Sequence, residues 1–266
     1  MKIAIIGYGK MGKMIEKAAL EKGHNISAIV DPLAPGTASA SGAIIHKCIE
    51  ESDSLGAADT AIEFTVPATA VQNISTLAYL KIPAVVGTTG WQGQLDEVKN
   101  IVNKAGSALL WSSNFSIGVN VFNRIAWYAS QLMNSFPEYD IGGYETHHNK
   151  KLDSPSGTAK TLIEGVLSRI DRKGKVQWEK LDRAPAPDEL HYPSLRIGSA
   201  PGTHSLIFDS AADTIELTHT ARSREGFATG AICAAEWLFS RQKDDNIKKC
   251  SGVFTIDDML KDMLGI

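Results

Sequence analysis

The chain has 266 residues, 43% of them hydrophobic, enough for one large or two modest domains with a sizeable core. Lys plus Arg total 27 against 30 Asp plus Glu, so no overall field draws the chain to nucleic acid or to an anionic membrane, and any partner must be read from a site. The apolar run after Lys2 is too short for a signal peptide, and no apolar stretch approaches the ~20 residues that span a bilayer.

In chain order, "KIAIIG" reads as a strand and residues 10–23 as a helix, followed by the strands "NISAIVD" and 43–48. "DTAIEFT" is a further strand, 68–80 a helix, "PAVVGTT" a strand, 91–105 a helix and "ALLWSS" a strand. Strand and helix in alternation specify a Rossmann-like, doubly wound parallel sheet, of class α/β, over residues 1–114. After Asn114 the pattern changes to a long helix over 119–135, a strand ending in His147 and His148, and a helix over 157–172. The proline-rich stretch "DRAPAPDELHYP" reads as a surface loop. "SLRIGS", "HSLIFDS" and "DTIELTHT" then follow one another too closely for parallel crossovers, so residues 115–230 form an α+β domain with a mixed or antiparallel sheet. "FATGAICAAEWLF" is small and apolar nearly all round, as a buried helix would be. Thr255 and Asp258 take the spacing of a capping box before a last short helix. Residues 231–266 are placed back with the first domain. Cys48, Cys233 and Cys250 are odd in number and far apart, which argues against a disulfide framework and fits reduced thiols in the cytoplasm.

"KIAIIGYGKMGKMI" sets Gly7, Gly9 and Gly12 in G-x-G-x-x-G register between a strand and a helix, with Tyr8, Lys10 and Met11 filling the turn. Gly7 makes the tight turn, Gly9 admits a pyrophosphate to the backbone, and Gly12 lets helix pack on strand. Asp31 lies 19 residues beyond Gly12 at the end of an apolar run, where a carboxylate accepts hydrogen bonds from an adenosine ribose. Pro32 follows it, and no Arg or Lys occurs between them and Lys47. A 2′-phosphate wants a cation there, so the pattern favours NADH over NADPH as donor. Phe64 and Thr65, and then Gly87, Thr88 and Thr89, leave the ends of successive strands, where the cofactor of an open α/β sheet lies.

"ETHHNKKLDSPSGTAK", residues 145–160, concentrates two histidines, three lysines and a helix start. On a strand His147 and His148 face opposite ways, so one can handle a proton while the other binds or braces. Lys151 stands four positions beyond His147. Ser156, Gly157 and Thr158 open a helix whose free amides form an anion site. The ligand that suits these groups is a small, multiply charged carboxylate. A metal is not expected at the histidine pair, because no partner sits at i, i+4 spacing and the lysines repel an ion. The residue pattern alone also admits another two-domain NAD-dependent dehydrogenase, acting on an amino acid or a sugar.

Together "GYGKMG", "EFTVP", "VGTTG", "SSNFSIGVN", "ETHHNKKLDSPSGTA" and "THTARSREGFATGA" resemble the 4-hydroxy-tetrahydrodipicolinate reductase family, the dihydrodipicolinate reductases of lysine and diaminopimelate synthesis. The matches run from the first strand to the C-terminal helix. The resemblance implies reduction of a cyclic imine dicarboxylate by NADH or NADPH, with loss of a hydroxyl as water. It implies that His147 and Lys151 are catalytic and that His148, Ser156, Gly157 and Thr158 bind substrate. It likewise makes Gly7 to Gly12, Asp31, Phe64, Thr65, Gly87 to Thr89, and Ser112, Ser113, Asn114 and Phe115 cofactor contacts. A homotetramer formed through the second-domain sheet is implied too. The chain departs from the family pattern in a glycine turn one residue shorter than in many members and in Pro32, which stands where they carry a basic residue.

Overall fold

Short runs of Ile, Ala and Val, separated by amphipathic segments, fold in the computed structural model of the protein into a parallel sheet whose strands are buried along most of their length. The structure describes residues 1–51, 53–243 and 251–265; Cys250 lies outside them. Two units are present, Met1–Ser116 with Phe227–Ile266, and Ile117–Gly226.

In the first unit β1 (Lys2–Ile6), α1 (Lys10–Glu21), β2 (Asn25–Val30), β3 (Ile45–His46), β4 (Thr60–Glu63), α2 (Pro67–Tyr79), β5 (Ala84–Val86), α3 (Leu95–Ala105) and β6 (Ala108–Trp111) follow in order. The predicted strand 43–48 shrinks to the two residues of β3, which pair with Ile29 and Val30. Pro67 starts α2, where its missing N–H costs nothing, and Gly106 ends α3 in the left-handed conformation. Ile74, Leu77, Val98 and Val102 from α2 and α3 pack with Ala4, Ile6, Ala61 and Val86 of the strands. Each of the buried Ile, Leu and Val side chains among them contributes roughly 1.5–3 kcal/mol.

The second unit contains α4 (Ile117–Met133), β7 (Asp140–His147), α5 (Gly157–Leu167), β8 (Lys175–Gln177), β9 (Glu189–His191), β10 (Ser194–Arg196), β11 (Thr203–Asp209) and β12 (Thr214–Thr220). The sheet is mixed: β11 runs antiparallel to β7 and β12, whereas β9 and β10 run parallel to β7 and β8 parallel to β9. Ile141, Leu190, Leu206 and Phe208 meet Phe122 and Ala126 of α4 and Leu162, Ile163 and Val166 of α5 in one core. Two expectations need correction. Residues 182–193 are not loop throughout, because Leu190 and Tyr192 are fully buried and draw β9 into the sheet despite the flanking prolines. The helix predicted to reach residue 172 stops at Leu167, as Arg169 and Arg172 turn back to donate to the carbonyls of Gly165 (2.7 Å) and Tyr139 (2.8 Å).

The chain then enters α6 (Glu225–Lys243), β13 (Gly252–Thr255) and α7 (Ile256–Leu264). β13 is a strand that its own four residues do not announce; it is defined by parallel pairing with β6. The first unit's sheet is thus seven-stranded, in the order β13-β6-β5-β4-β1-β2-β3. Thr255 and Asp258 form the expected capping box on α7.

Candidate active site

In the first unit the turn from β1 to α1 brings Gly7 to a φ of +94°, a conformation open to glycine, and a side chain there would strike the Phe64 carbonyl. A side chain at Gly12 would strike the Gly7 carbonyl, whereas one at Gly9 would meet nothing within 4 Å. No side chain caps α1 at Gly9, so its first-turn amides are left for an anion. Asp31, at the end of β2, accepts from the Tyr8 amide (2.7 Å) and the Leu33 amide (2.8 Å), which aims and holds the carboxylate. These groups line a cleft of about 500 Å³ that includes Gly7, Gly9, Asp31, Phe64, Thr65 and Asn73.

Other predicted contacts stand behind that surface. Thr88 is buried and its hydroxyl accepts from the Thr65 amide (2.7 Å), and Gly87 leaves room for the Phe64 ring, which also packs on Phe115 at 6.0 Å. Ser112 donates to the Asn114 carbonyl (2.8 Å) and is buried, while Ser113, Thr89 and Lys10 are exposed. Tyr8 turns its hydroxyl to Glu16 and is buried, so that side chain braces the turn. Beneath Thr65, burial pushes the Glu63 carboxyl up, although Thr65 donates to it. Lys47, remote from the acid in sequence, also lines the cleft, because β3 pairs His46 with Val30 and the Asp31 amide donates to His46 at 2.9 Å. Glu50 lines the same cleft, so one basic and two acidic side chains border it.

In the second unit the period of two along β7 puts Ile141, Glu145 and His147 on one face. Register sets Glu145 opposite Ser194 of β10 on one side and His204 of β11 on the other, and His204 opposite His219 of β12. His147 lies opposite Arg196. Fully buried, Glu145 accepts from the Ser156 amide (3.0 Å), the Ser194 hydroxyl (2.7 Å) and Arg196 (3.3 Å), and the Ser156 hydroxyl also donates to it. Burial alone would raise its carboxyl, but the bonds from Ser156 and Ser194 and the charge of His147 outweigh it and hold the carboxyl below its usual range. His147 Nδ1 lies 3.5 Å and His204 Nδ1 3.9 Å from Glu145 Oε2. Burial lowers both imidazoles, with Lys151 and Arg196 adding to the effect at His147, and His204 falls to about 4.

Beyond β7 the loop carries His148, whose Nδ1 is buried without a hydrogen-bond partner among the described residues. Lys151 pairs with Asp153 at 2.8 Å, and Arg196 donates to the Asp153 carbonyl at 2.7 Å. At the start of α5, Ser156 accepts from the Ala159 amide (3.1 Å) and spends its own amide and hydroxyl on Glu145, so it caps the helix and joins two elements rather than offering donors outward. Gly157 remains exposed and unobstructed. Glu145, His147 and His204 bring three ligand-type atoms within 4.8 Å of one another. The carboxylate is already matched by Arg196 and the serine donors, which makes the trio a charge network. Ser194, Arg196, His204 and Tyr192 escaped sequence reading; the alternation in "GTHSLIFDS", which sets His204 in phase with Leu206 and Phe208, was the available signal.

A glycine-turn parallel sheet in one unit and a basic, histidine-rich strand end in the other define a nicotinamide-dependent oxidoreductase. Residues 1–115 match the family "Dihydrodipicolinate reductase, N-terminus" and residues 118–260 match "Dihydrodipicolinate reductase, C-terminus". The chain belongs to the dihydrodipicolinate reductase family. A 4-hydroxy-tetrahydrodipicolinate reductase of Christiangramia forsetii is 38% identical over 263 residues, 99% of each chain. The fold is shared with the dipicolinate-bound dihydrodipicolinate reductase of Paenisporosarcina sp. TG-14 at a TM-score of 0.75 and 20% identity, covering 96% of this chain and 97% of that one. An amine dehydrogenase of Mycobacterium smegmatis shares it at 0.61 and 11%, covering 97% and 95%. Fold alone therefore leaves the dehydrogenase alternative open, and it is sequence identity over the full length that separates the two.

Proposed function

We propose that this chain reduces 4-hydroxy-tetrahydrodipicolinate to tetrahydrodipicolinate, with residues 1–114 and 231–266 taking the nicotinamide donor and 115–230 the cyclic dicarboxylate. The observation that carries this is the grouping of His147, Lys151 and Arg196, whose charges act on one another, with the exposed Gly157 at the start of α5 beyond the end of β7. Two substrate carboxylates need fixed cations and amide dipoles, and this strand end supplies both. Loss of the 4-hydroxyl as water leaves a conjugated imine, to which bound NADH or NADPH would supply hydride. The electron density that then builds on the ring would be stabilised by cationic Lys151, and His147 would give the proton that completes the reduction. His148 and the backbone of Gly157 and Thr158 hold the carboxylates.

On the donor side Gly7 to Gly12 take the pyrophosphate and Asp31 the adenosine ribose, with Phe64, Thr65 and the turns 87–89 and 112–115 shaping the remainder. NADH is the preferred donor and NADPH a usable one: Asp31 and Glu50 set two negative charges against the single Lys47 in the cleft. Among the described residues no helix is long and apolar enough to cross a membrane; with Cys48 and Cys233 as free thiols we place the protein in the cytoplasm. We also assign a homotetramer, supported by the edge strand β12, which is exposed or half-exposed along its length. Light scattering should give about four times 28.6 kDa, and a monomer mass would remove that assignment.

The decisive assay mixes the protein with enzymatically generated substrate and each donor in turn, following loss of the reduced-nicotinamide absorbance. Turnover with NADH exceeding that with NADPH is expected. Turnover of an amino acid with NAD and none of the cyclic imine would overturn the assignment.

A further inference from the structure

We propose that Glu145 is a positioning residue for His147: it holds the Nδ1–H of that ring toward its own carboxylate and leaves Nε2 as the nitrogen that exchanges a proton with substrate. The proposal rests on the assignment of His147 to proton transfer and adds to it the group that orients the imidazole. Oxygen Oε1 of Glu145 is committed to Ser156, Ser194 and Arg196. Oε2 takes the Ser156 hydroxyl and otherwise faces the two imidazoles, that of His147 being nearer.

His147 is 8% exposed, and its Nδ1 is buried with no hydrogen-bond partner among the described residues, the ion-pair contact to Glu145 Oε2 at 3.5 Å being its nearest acidic neighbour. A protonated Nδ1 can be compensated there by Glu145 Oε2, 3.5 Å away, whereas a bare Nδ1 lone pair would face a carboxylate across that gap. The opposite nitrogen is bordered by Gly202, where any side chain would begin 3.1 Å from Nε2, so the glycine spares that edge of the ring a close contact. His204 packs edge-on against His147 at 5.3 Å and 73°, with Tyr192 OH 3.4 Å from its Nδ1, so a second ring buttresses the first.

The remaining charged groups that face His147 come from its neighbours. Lys151 and Asp153 lie on the following loop, Arg196 on β10 and His204 on β11, with His219 of β12 one strand further. Lys151 and Arg196 oppose a proton on His147, and Glu145 and Asp153 favour one. Removing the nearest of the favourable charges has a definite sign: the imidazole becomes harder to protonate. A carboxylate buried only to fasten Ser156 and Ser194 would still shift the titration through space, but it would not set which nitrogen carries the proton, so the tautomer of the neutral ring separates the two roles.

The test uses the intact protein labelled with 15N-histidine, the His147 signals being assigned with a His147→Gln variant. In the wild-type protein the neutral ring is expected as the Nδ1–H tautomer, and the Nε2–H form would overturn the proposal without requiring any variant to fold. In Glu145→Gln, shown to be folded by its circular dichroism, the titration of His147 should move down by about one pH unit or more. The limb of the kcat profile that follows His147 should move with it, kcat at neutral pH should fall by about tenfold or more, and KM for the nicotinamide donor should be unchanged. Glu145→Asp, which keeps the charge, should restore part of the titration shift. An unmoved His147 titration in Glu145→Gln sinks the proposal. An Nδ1–H tautomer together with full turnover by His147→Gln would instead overturn the assignment of His147 to proton transfer, and the proposal with it.

Discussion

The cleft of the first unit and the polar end of the second unit's sheet are built from different materials. The cleft relies on backbone: the amides at the start of α1, a left-handed Gly7, and an Asp31 whose carboxylate is itself held by two amides. The polar end relies on side chains delivered by β7, β10, β11, the loop after β7 and the start of α5. A site made of backbone tolerates exchange of most side chains and fails where a Cβ cannot fit. One made of charged side chains fails when a single charge is lost, because the others were balanced against it.

Five substitutions would break or sharpen that contrast. The largest effect is expected for Lys151→Ala, which should lower kcat about 10²- to 10³-fold with little change in KM for the donor; steady-state kinetics showing ordinary turnover would remove the lysine from catalysis. Gly12→Ala should next destabilise the first unit by about 3 kcal/mol in a urea melt, since its new methyl meets the Gly7 carbonyl. Gly9→Ala should change stability by less than about 0.5 kcal/mol while weakening dinucleotide affinity measured by nicotinamide fluorescence. Equal stability losses in the two variants would contradict the packing described here.

Acid should act on the second unit. The folded His204 titrates at about 4, below the roughly 6.5 of an unfolded histidine, so between these values the unfolded chain binds the extra proton. Stability from this group is complete above about 6.5 and is lost as pH falls toward 4, on the order of 2–3 kcal/mol in all. Glu145, held below the usual carboxylate range, adds a loss in the same direction at lower pH. His204→Gln should flatten the upper part of that acid slope in melts at successive pH values; an unchanged slope would show that His204 is not its source. A modest effect on stability, about 1 kcal/mol, belongs to Thr255→Ala, which removes the capping box of α7 and should leave turnover untouched.

Much of this organisation was legible in the chain. Gly7, Gly9, Gly12 and Asp31 announced their cleft because a tight turn, a close approach and an acid at the end of the next strand are requirements within one strand-helix-strand unit. The segment 145–160 likewise declared its histidines, lysine and helix start. Less legible were the pieces whose state depends on distant partners. β13 becomes a strand through β6, β9 is buried in spite of its prolines, and Ser156, which reads as an outward donor, turns inward because Glu145 lies beneath it.

By itself, then, the order of residues determined the parallel sheet of the first unit, the mixed sheet of the second, and the kinds of chemistry each could carry, since periodicity, glycine spacing and helix caps are local properties. Only the tertiary structure decided that Lys47 stands in the cleft with Asp31, and that Glu145 meets Ser194, Arg196, His147 and His204. Strand register brings together residues as far apart as 145 and 204. A shift of one position would turn those side chains to the other face, and no short stretch of sequence specifies that choice.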